Sequence, residues 1–178
     1  RLDMENSPYT DKTLALYKRY RDEGYENVGI VLQAYMRRSY KDIENLLEYK
    51  PSIRLCKGIY REAPEIAYQG KQEVRDNYKK LFDLIVNNKM YIGIATHDEE
   101  LLKFAEERIK ALGMKKEDYE FQMLLGVREE KRTELLSKGH HLRVYVPFGE
   151  DWYGYSSRRL KENPQIAGHI FKAIFSNK

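Results

Sequence analysis

The feature that most restricts the fold is an alternation of short apolar runs with longer helix-like segments. Residues 28–35, VGIVLQAY, form a continuous apolar run of strand length, which is typical of a parallel strand buried on both faces. Further runs of this kind lie at residues 53–60, 91–96, 119–126, 142–146 and, as a sixth candidate, 2–5. Strands that alternate with helices predict an α/β fold with a parallel sheet. At this level a doubly wound sheet and a barrel both remain open.

The segments between the apolar runs carry helix signals. A helix is predicted over residues 10–22, where Leu14 and Tyr17 lie on one apolar face and Gly24 marks the end. The other predicted helices cover residues 40–49, 72–87, 99–112 and a segment ending near residue 137, with a last amphipathic segment after Pro164.

Composition excludes several classes of protein. The net charge of +4 is small, and lysines and arginines alternate with acids along the helices, so a nucleic-acid partner is not expected. No apolar run approaches the roughly 20 residues of a membrane span. Cys56 is the single cysteine, which excludes an internal disulfide framework and fits a reducing compartment. No pair of His or Cys residues has the spacing of a metal site.

Polar residues cluster near the carboxyl end of each predicted strand. In a parallel barrel that edge carries the active site, so the set predicts a ligand site. Its members are Asp3, Glu5, Gln33, Tyr35, Lys57, Tyr60, Thr96, His97, Gln122 and Tyr145. Arg54 instead lies near the start of its strand, and if buried it needs an acidic or anionic partner.

The chemistry of single residues remains ambiguous. Lys57 at a strand end is compatible with a Schiff-base amine, a phosphate-binding charge or an ion-pair partner. His97 is compatible with a base, an anion donor at a helix N-terminus or a plain helix-start residue. The adjacent Arg158 and Arg159 suit a carboxylate, because each guanidinium offers a planar fork of donors, but a solvated basic helix start has the same pattern. No glycine-rich phosphate fingerprint and no nucleophile elbow is present.

Taken together, the motifs resemble the proline dehydrogenase family over residues 2–164. They are LDME, QAYMRRS, RLCKGIY, ATHDEE, YEFQMLLG and RVYVPFGEDWYGYSSRR, in this order. The resemblance implies a distorted (βα)8 barrel that binds FAD without covalent attachment. It also implies oxidation of L-proline to Δ1-pyrroline-5-carboxylate, with electrons passed to membrane quinone.

The resemblance also implies site residues. The implied FAD contacts are Gln33, Arg54, Lys57, Gly58, Tyr60, Thr96, His97, Gln122 and, at the adenosine end, Glu162. On the substrate side, Arg158 and Arg159 would hold the proline carboxylate. The walls around the proline ring would be Tyr60, Leu124, Tyr145 and Tyr155, with Asp3 at the flavin–substrate boundary.

Three positions depart from the family motifs. Asp98 replaces the Asn of the motif ATHN, which places a negative charge near the expected pyrophosphate. Ile59 stands where Ala is usual and would crowd the cofactor. Arg61 stands at a position that is aromatic in some members, so a guanidinium would stack in place of a ring.

The whole chain, residues 1–178, is expected to form the C-terminal part of a single flavin-binding barrel domain. It would supply about six strand–helix units, the third to the eighth, a helix carrying Arg158 and Arg159, and a helical tail. An N-terminal barrel segment would be a partner, and a lysine expected on an earlier strand is not in this sequence. The expected location is the cytoplasm, at the inner face of the membrane. Two alternatives stay open: an aldolase-type barrel enzyme using Lys57, and a non-catalytic barrel fragment.

Overall fold

The computed structural model of the chain describes residues 1–146 and Gly149. Helices and strands alternate along this part, so the prediction of an α/β fold is confirmed. The helices are α1 (Ser7–Asp22), α2 (Ser39–Glu44), α3 (Lys71–Asn87), α4 (Glu99–Leu112) and α5 (Glu129–Ser137). The strands are β1 (Gly29–Gln33), β2 (Ser52–Cys56), β3 (Ile92–Ala95), β4 (Tyr119–Leu124) and β5 (Leu142–Tyr145). Short 3-10 turns lie at Leu47–Tyr49 and Lys116–Asp118.

The five strands form one sheet in chain order, from β1 to β5. The pairs β1–β2 and β2–β3 are parallel, and Ile30, Ile53 and Ile92 lie side by side across them. All three isoleucines are fully buried. A doubly wound sheet reverses its strand order at a switch point, whereas these five strands follow one another across the sheet in chain order, as strands of a (βα)8 barrel do.

The chain divides into two compact units, residues 1–121 and 122–178, with the division inside β4. The core of the first unit consists of the apolar faces of its strands and helices. Between α3 and α4 the rings of Phe82 and Phe104 pack edge to face, with their centroids 5.4 Å apart. Burial of each large apolar side chain stabilises the unit by about 1.5–3 kcal/mol. The largest fully buried side chains include Tyr17, Ile43, Leu46, Leu55, Tyr78, Leu81, Phe82 and Ile85.

Helix α3 is attached to the strand ends by buried polar contacts as well as by its apolar face. The Tyr78 hydroxyl donates to the carbonyl of Leu55 in β2 at 3.1 Å. The Asn77 amide donates to the carbonyl of Ala34, just beyond β1, at 2.6 Å. Because a buried hydroxyl or amide without a partner is costly, these two bonds fix the position of α3 along the sheet.

The predicted strand at residues 2–5 is wrong beyond its first residue. Leu2 makes one parallel bridge to Ile30: its amide donates to Gly29, and its carbonyl accepts from Val31. The chain then leaves the sheet and enters α1 at Ser7, and Leu2 is the one residue of this run that forms a bridge to β1. The described residues therefore contain five strands, and the predicted sixth is reduced to the isolated bridge at Leu2.

Two predicted boundaries also need correction. The helix predicted over residues 40–49 is a short α2 followed by a 3-10 turn, and Lys50 then adopts a left-handed φ of 42° before Pro51. Because a proline disfavours the right-handed α conformation in the residue before it, Pro51 prevents the helical segment from continuing through Lys50. The strand predicted over residues 53–60 ends at Cys56, because Gly58 has a φ of 95° and leaves the extended region.

Candidate functional site

The carboxyl ends of the first three strands bring predicted site residues to one edge of the sheet. Gln33 is the last residue of β1, and Lys57 and Thr96 directly follow β2 and β3. The register aligns these ends, because Gln33 pairs with Cys56 and Cys56 pairs with Ala95. The first unit therefore contains a polar edge of the kind that carries ligand sites in parallel α/β folds.

Gln33 is a buried amide with only part of its hydrogen-bonding capacity used. Its side chain is 4% exposed, and its Nε2 donates to the carbonyl of Met4 at 3.1 Å. Its Oε1 accepts no hydrogen bond from any residue of the described part. An unpaired buried acceptor costs roughly 1–3 kcal/mol, so this oxygen is suited to a donor from a bound ligand.

Arg54 has the acidic partner that its position in a strand requires. Its guanidinium donates to the carboxylate of Asp3 at 2.8 Å, and its side chain is 19% exposed. The contact joins a residue expected at the cofactor to one expected at the flavin–substrate boundary. It also ties the N-terminal segment to the middle of β2.

The loop after β2 is attached to the N-terminal segment by two further contacts. The Tyr60 hydroxyl donates to the carboxylate of Glu5. Glu62 accepts from the amide of Ser7 at 2.7 Å and from its hydroxyl at 2.8 Å. Tyr60, expected at both the cofactor and the substrate, is thus positioned by residues at the start of the chain.

Gly58 has a structural reason to be glycine. Its φ is 95°, and an added Cβ would lie 2.1 Å from the Cδ1 atom of Tyr35. The backbone of Tyr35 also donates to the carbonyl of Lys57 at 2.8 Å. Burial raises the pKa of the Tyr35 hydroxyl, which has no partner among the described residues. The Tyr35 ring thus packs directly on the backbone that carries Lys57.

Lys57 forms an ion pair that joins β2 to the start of α4. Its Nζ lies 3.1 Å from Oδ2 of Asp98, the residue that precedes α4. The same oxygen accepts from Nε of Arg75 in α3 at 3.0 Å. Asp98 is thus the partner of two cations, and the negative charge that departs from the family motif is paired inside the protein.

The charge of Asp98 follows from these contacts. Burial raises the pKa of this carboxyl, but the hydrogen bonds from Arg75 and Lys57 outweigh burial and hold the pKa below its ordinary value. The backbone of Asp98 donates to the hydroxyl of Thr96 at 3.1 Å. Because the Thr96 side chain is buried, this hydrogen bond fixes the turn that carries Asp98. A Schiff-base amine would have to leave this ion pair with a buried carboxylate in order to attack a carbonyl, which disfavours that role for Lys57.

Sequence reasoning missed the residues behind this pair. Arg75 also lies 2.9 Å from Glu100, and Lys79 lies 2.7 Å from the same carboxylate. The spacing of Arg75 and Lys79, four residues apart on a helix, placed them on one face. Nothing in the sequence indicated that this face meets the N-terminal turn of α4.

The remaining predicted residues of the described part lie elsewhere. His97 is half-buried in the turn before α4. In the second unit Gln122 is buried in β4, Leu124 ends β4, and Tyr145, which is 41% exposed, ends β5. The amide of Leu125 donates to the carbonyl of Tyr145 at 3.0 Å, so these two strand ends adjoin. Predicted residues outside the described part are Tyr155, Arg158, Arg159 and Glu162.

Residues 1–146 and 149 contain neither a candidate metal cluster nor a helix that could span a membrane. No group of three or more His, Cys, Asp or Glu side chains in this part is arranged to hold a metal ion. None of its helices combines the length and apolar character needed to span a membrane. Cys56 is half-buried, and its Sγ lies 3.6 Å from the carbonyl of Leu32.

Comparison with known proteins gives consistent matches. The family model described as proline dehydrogenase matches residues 1–171. Proline dehydrogenase 2 of Bacillus subtilis is 42% identical over 97% of this chain, and the proline dehydrogenase of Deinococcus radiodurans is 38% identical over 97%. The chain spans 57% and 56% of the lengths of these relatives. The crystal structure of proline utilization A from Bdellovibrio bacteriovorus, inactivated by N-propargylglycine, matches with a TM-score of 0.84 and 30% identity. That match covers 90% of this chain and 19% of the other.

Proposed function

The chain belongs to the proline dehydrogenase family, and on this premise we propose that it forms part of an FAD-dependent enzyme that oxidises L-proline to Δ1-pyrroline-5-carboxylate. The observation that carries the proposal is the polar edge at the ends of β1, β2 and β3, which lies within the residues that the family model matches. In this proposal residues 1–178 belong to a single flavin-binding barrel domain, completed by a segment equivalent to the unmatched part of the relatives.

The residues of this edge fit a flavin nucleotide in their chemistry. The buried Oε1 of Gln33 is an acceptor that can take a donor from the isoalloxazine ring. Lys57, which is 37% exposed at its side chain, supplies a positive charge for the phosphates. Other cofactor contacts are proposed for Arg54, Gly58, Tyr60, Thr96, His97, Gln122 and Glu162.

The substrate side of the proposal uses residues that bind and orient proline. Arg158 and Arg159 would donate to its carboxylate, because bidentate guanidinium contacts set the orientation as well as the affinity. Tyr60, Leu124, Tyr145 and Tyr155 would surround the ring and exclude water, with Asp3 beside Arg54. FAD, when bound, supplies the acceptor for the hydride that leaves the carbon next to the proline nitrogen. The electrons would pass to a membrane quinone, with the protein in the cytoplasm at the membrane surface.

The proposal is tested by co-expressing this chain with the segment of the Bacillus subtilis relative that it does not match. We expect a yellow complex that absorbs near ~450 nm, as bound flavin does, and that reduces an artificial electron acceptor when proline is added. A colourless and inactive complex would refute the proposal. Such a result would favour a non-catalytic barrel fragment. Borohydride trapping of a substrate on Lys57 would instead favour the aldolase-type alternative.

The carboxylate contact has its own test in the same complex. Replacing Arg158 or Arg159 by Met should raise the KM for proline while flavin absorbance is retained, because only the substrate loses a charge-assisted bond. Unchanged proline kinetics in both variants would remove these arginines from the proposed site. Lys138→Met offers a control, since it removes a cation that is paired with Glu134 on the surface.

A further inference from the structure

Five charged side chains form a continuous row from the end of β2 across α4 to α3. We call it the charge row, and its members are Lys57, Asp98, Arg75, Glu100 and Lys79. The signs alternate along it, and successive charged groups are 2.7–3.1 Å apart. Three cations and two anions give the row a formal charge of 3 − 2 = +1.

Asp98 is the buried member on which the row depends. Its side chain is 3% exposed, and its Oδ2 accepts from both Lys57 and Arg75. Its Oδ1 has no partner among the described residues. A carboxylate this deeply buried must be paired, and the site keeps excess positive charge only if more than one cation pairs with it.

The two cations that meet Asp98 differ in their exposure. The Lys57 side chain is 37% exposed, whereas that of Arg75 is 19% exposed and is also held by Glu100. Arg75 is therefore the interior partner of Asp98, and Lys57 is the partner that faces solvent. If Arg75 were absent, Lys57 would be the sole counter-ion of a buried carboxylate, and the pair would have no net charge for an anion.

We propose that Arg75 compensates the charge of Asp98 from the α3 side, so that Lys57 can bind the diphosphate group of FAD. Arg75 acts in this role as a positioning residue that need not touch the cofactor. The inference rests on the proposed function for the identity of the anion. The charge compensation of Asp98 by Arg75 would favour the binding of any diphosphate at the end of β2.

The test compares FAD with riboflavin, which has the same ring system and no phosphate. Both dissociation constants are measured from flavin fluorescence in the co-expressed complex at low salt, where exposed charges are least screened. Arg75→Gln should weaken FAD by at least about tenfold and leave riboflavin within about threefold. Asp98→Asn should leave FAD binding unchanged or tighter. The double variant should bind FAD within about threefold of the original protein, because it removes both the buried charge and its compensator.

Lys79→Gln is the matched control. It removes a cation four residues along the same helix, bonded to Glu100 and not to Asp98, and should change FAD binding by less than about threefold. Equal losses for FAD and riboflavin in Arg75→Gln would indicate a structural role and overturn the inference. So would an unaffected FAD dissociation constant, or a double variant that is no better than Arg75→Gln.

Inorganic pyrophosphate separates this inference from the proposed function. If the complex binds no flavin, the proposed function fails, and calorimetric titration with pyrophosphate then decides the charge compensation alone. The inference is supported if pyrophosphate binding is lost in Arg75→Gln and returns in the double variant that also carries Asp98→Asn. Absence of pyrophosphate binding, or binding that is the same in all variants, overturns it.

Discussion

Replacing Gly58 by Ala should destabilise the first unit strongly, through the packing of Tyr35. Two costs add. A left-handed φ of 95° costs an L-residue roughly 1–2 kcal/mol, and overpacking of a close contact costs about 1–3 kcal/mol more. The contact is severe, because the new Cβ would lie 2.1 Å from the Tyr35 ring, which is itself buried and backed by Met36 and Ala67. The expected loss is therefore about 2–5 kcal/mol of unfolding free energy.

Gly24 offers a matched control for the backbone cost. Its φ is 90°, and no atom lies within 4 Å of the position that a Cβ would occupy. Gly24→Ala should therefore cost only the roughly 1–2 kcal/mol of the φ strain. The difference between the two variants isolates the contact with Tyr35.

Urea denaturation followed by circular dichroism measures both losses as shifts of the midpoint. Adding Tyr35→Ala removes the ring, so Gly58→Ala in that background should cost no more than Gly24→Ala does. If Gly58→Ala is no more destabilising than Gly24→Ala in the original background, the packing explanation is refuted. The glycine would then be required by something other than the Tyr35 ring.

Three further outcomes are expected. Tyr78→Phe should lose about 0.5–1.5 kcal/mol in the same urea assay, because it removes a buried hydrogen bond from α3 to the carbonyl of Leu55; a loss below the measurement error would contradict this. Phe82→Ala should lower the free energy of unfolding by about 3–5 kcal/mol, because it leaves a cavity at a fully buried ring that packs against Phe104. A loss as small as that of a surface substitution would contradict this. The folded chain lowers the pKa of Asp98 below its ordinary value of 3.8. The ionised carboxylate therefore stabilises the fold at pH values above 3.8, and this stabilisation is lost as the pH falls through the pKa of the folded state. The stability difference between the original protein and Asp98→Asn should thus be largest near neutral pH and shrink below pH 3.8; a difference independent of pH would exclude the ionised carboxylate as its source.

Local patterns predicted the succession of elements well. The continuous apolar run in residues 28–35 contains β1, and the spacing of apolar residues in residues 72–87 matches α3. These predictions depend only on the side-chain period of each element, which a chain shows without any tertiary contact. The run at residues 2–5 lacked a full period, and there the prediction of a strand was wrong beyond Leu2.

Ligand-site residues were predictable only in part. Gln33, Lys57 and Thr96 could be grouped in advance, because parallel strands bring their carboxyl ends to one edge. The acidic partner of Arg54 could be anticipated as a requirement but not identified, since Asp3 lies 51 residues away in the chain.

By itself, the sequence determined the α/β class, the order of the strands and helices, and the residue types that follow each strand. Only the tertiary structure decided that Lys57 meets Asp98, 41 residues along the chain, and that Arg75 meets the same carboxylate from α3. It also decided that the Tyr35 ring occupies the space above Gly58. The physical reason is that a periodic pattern records which face of an element is apolar. The height and rotation at which two elements pack follow from side-chain volumes and buried hydrogen bonds that come from the whole unit.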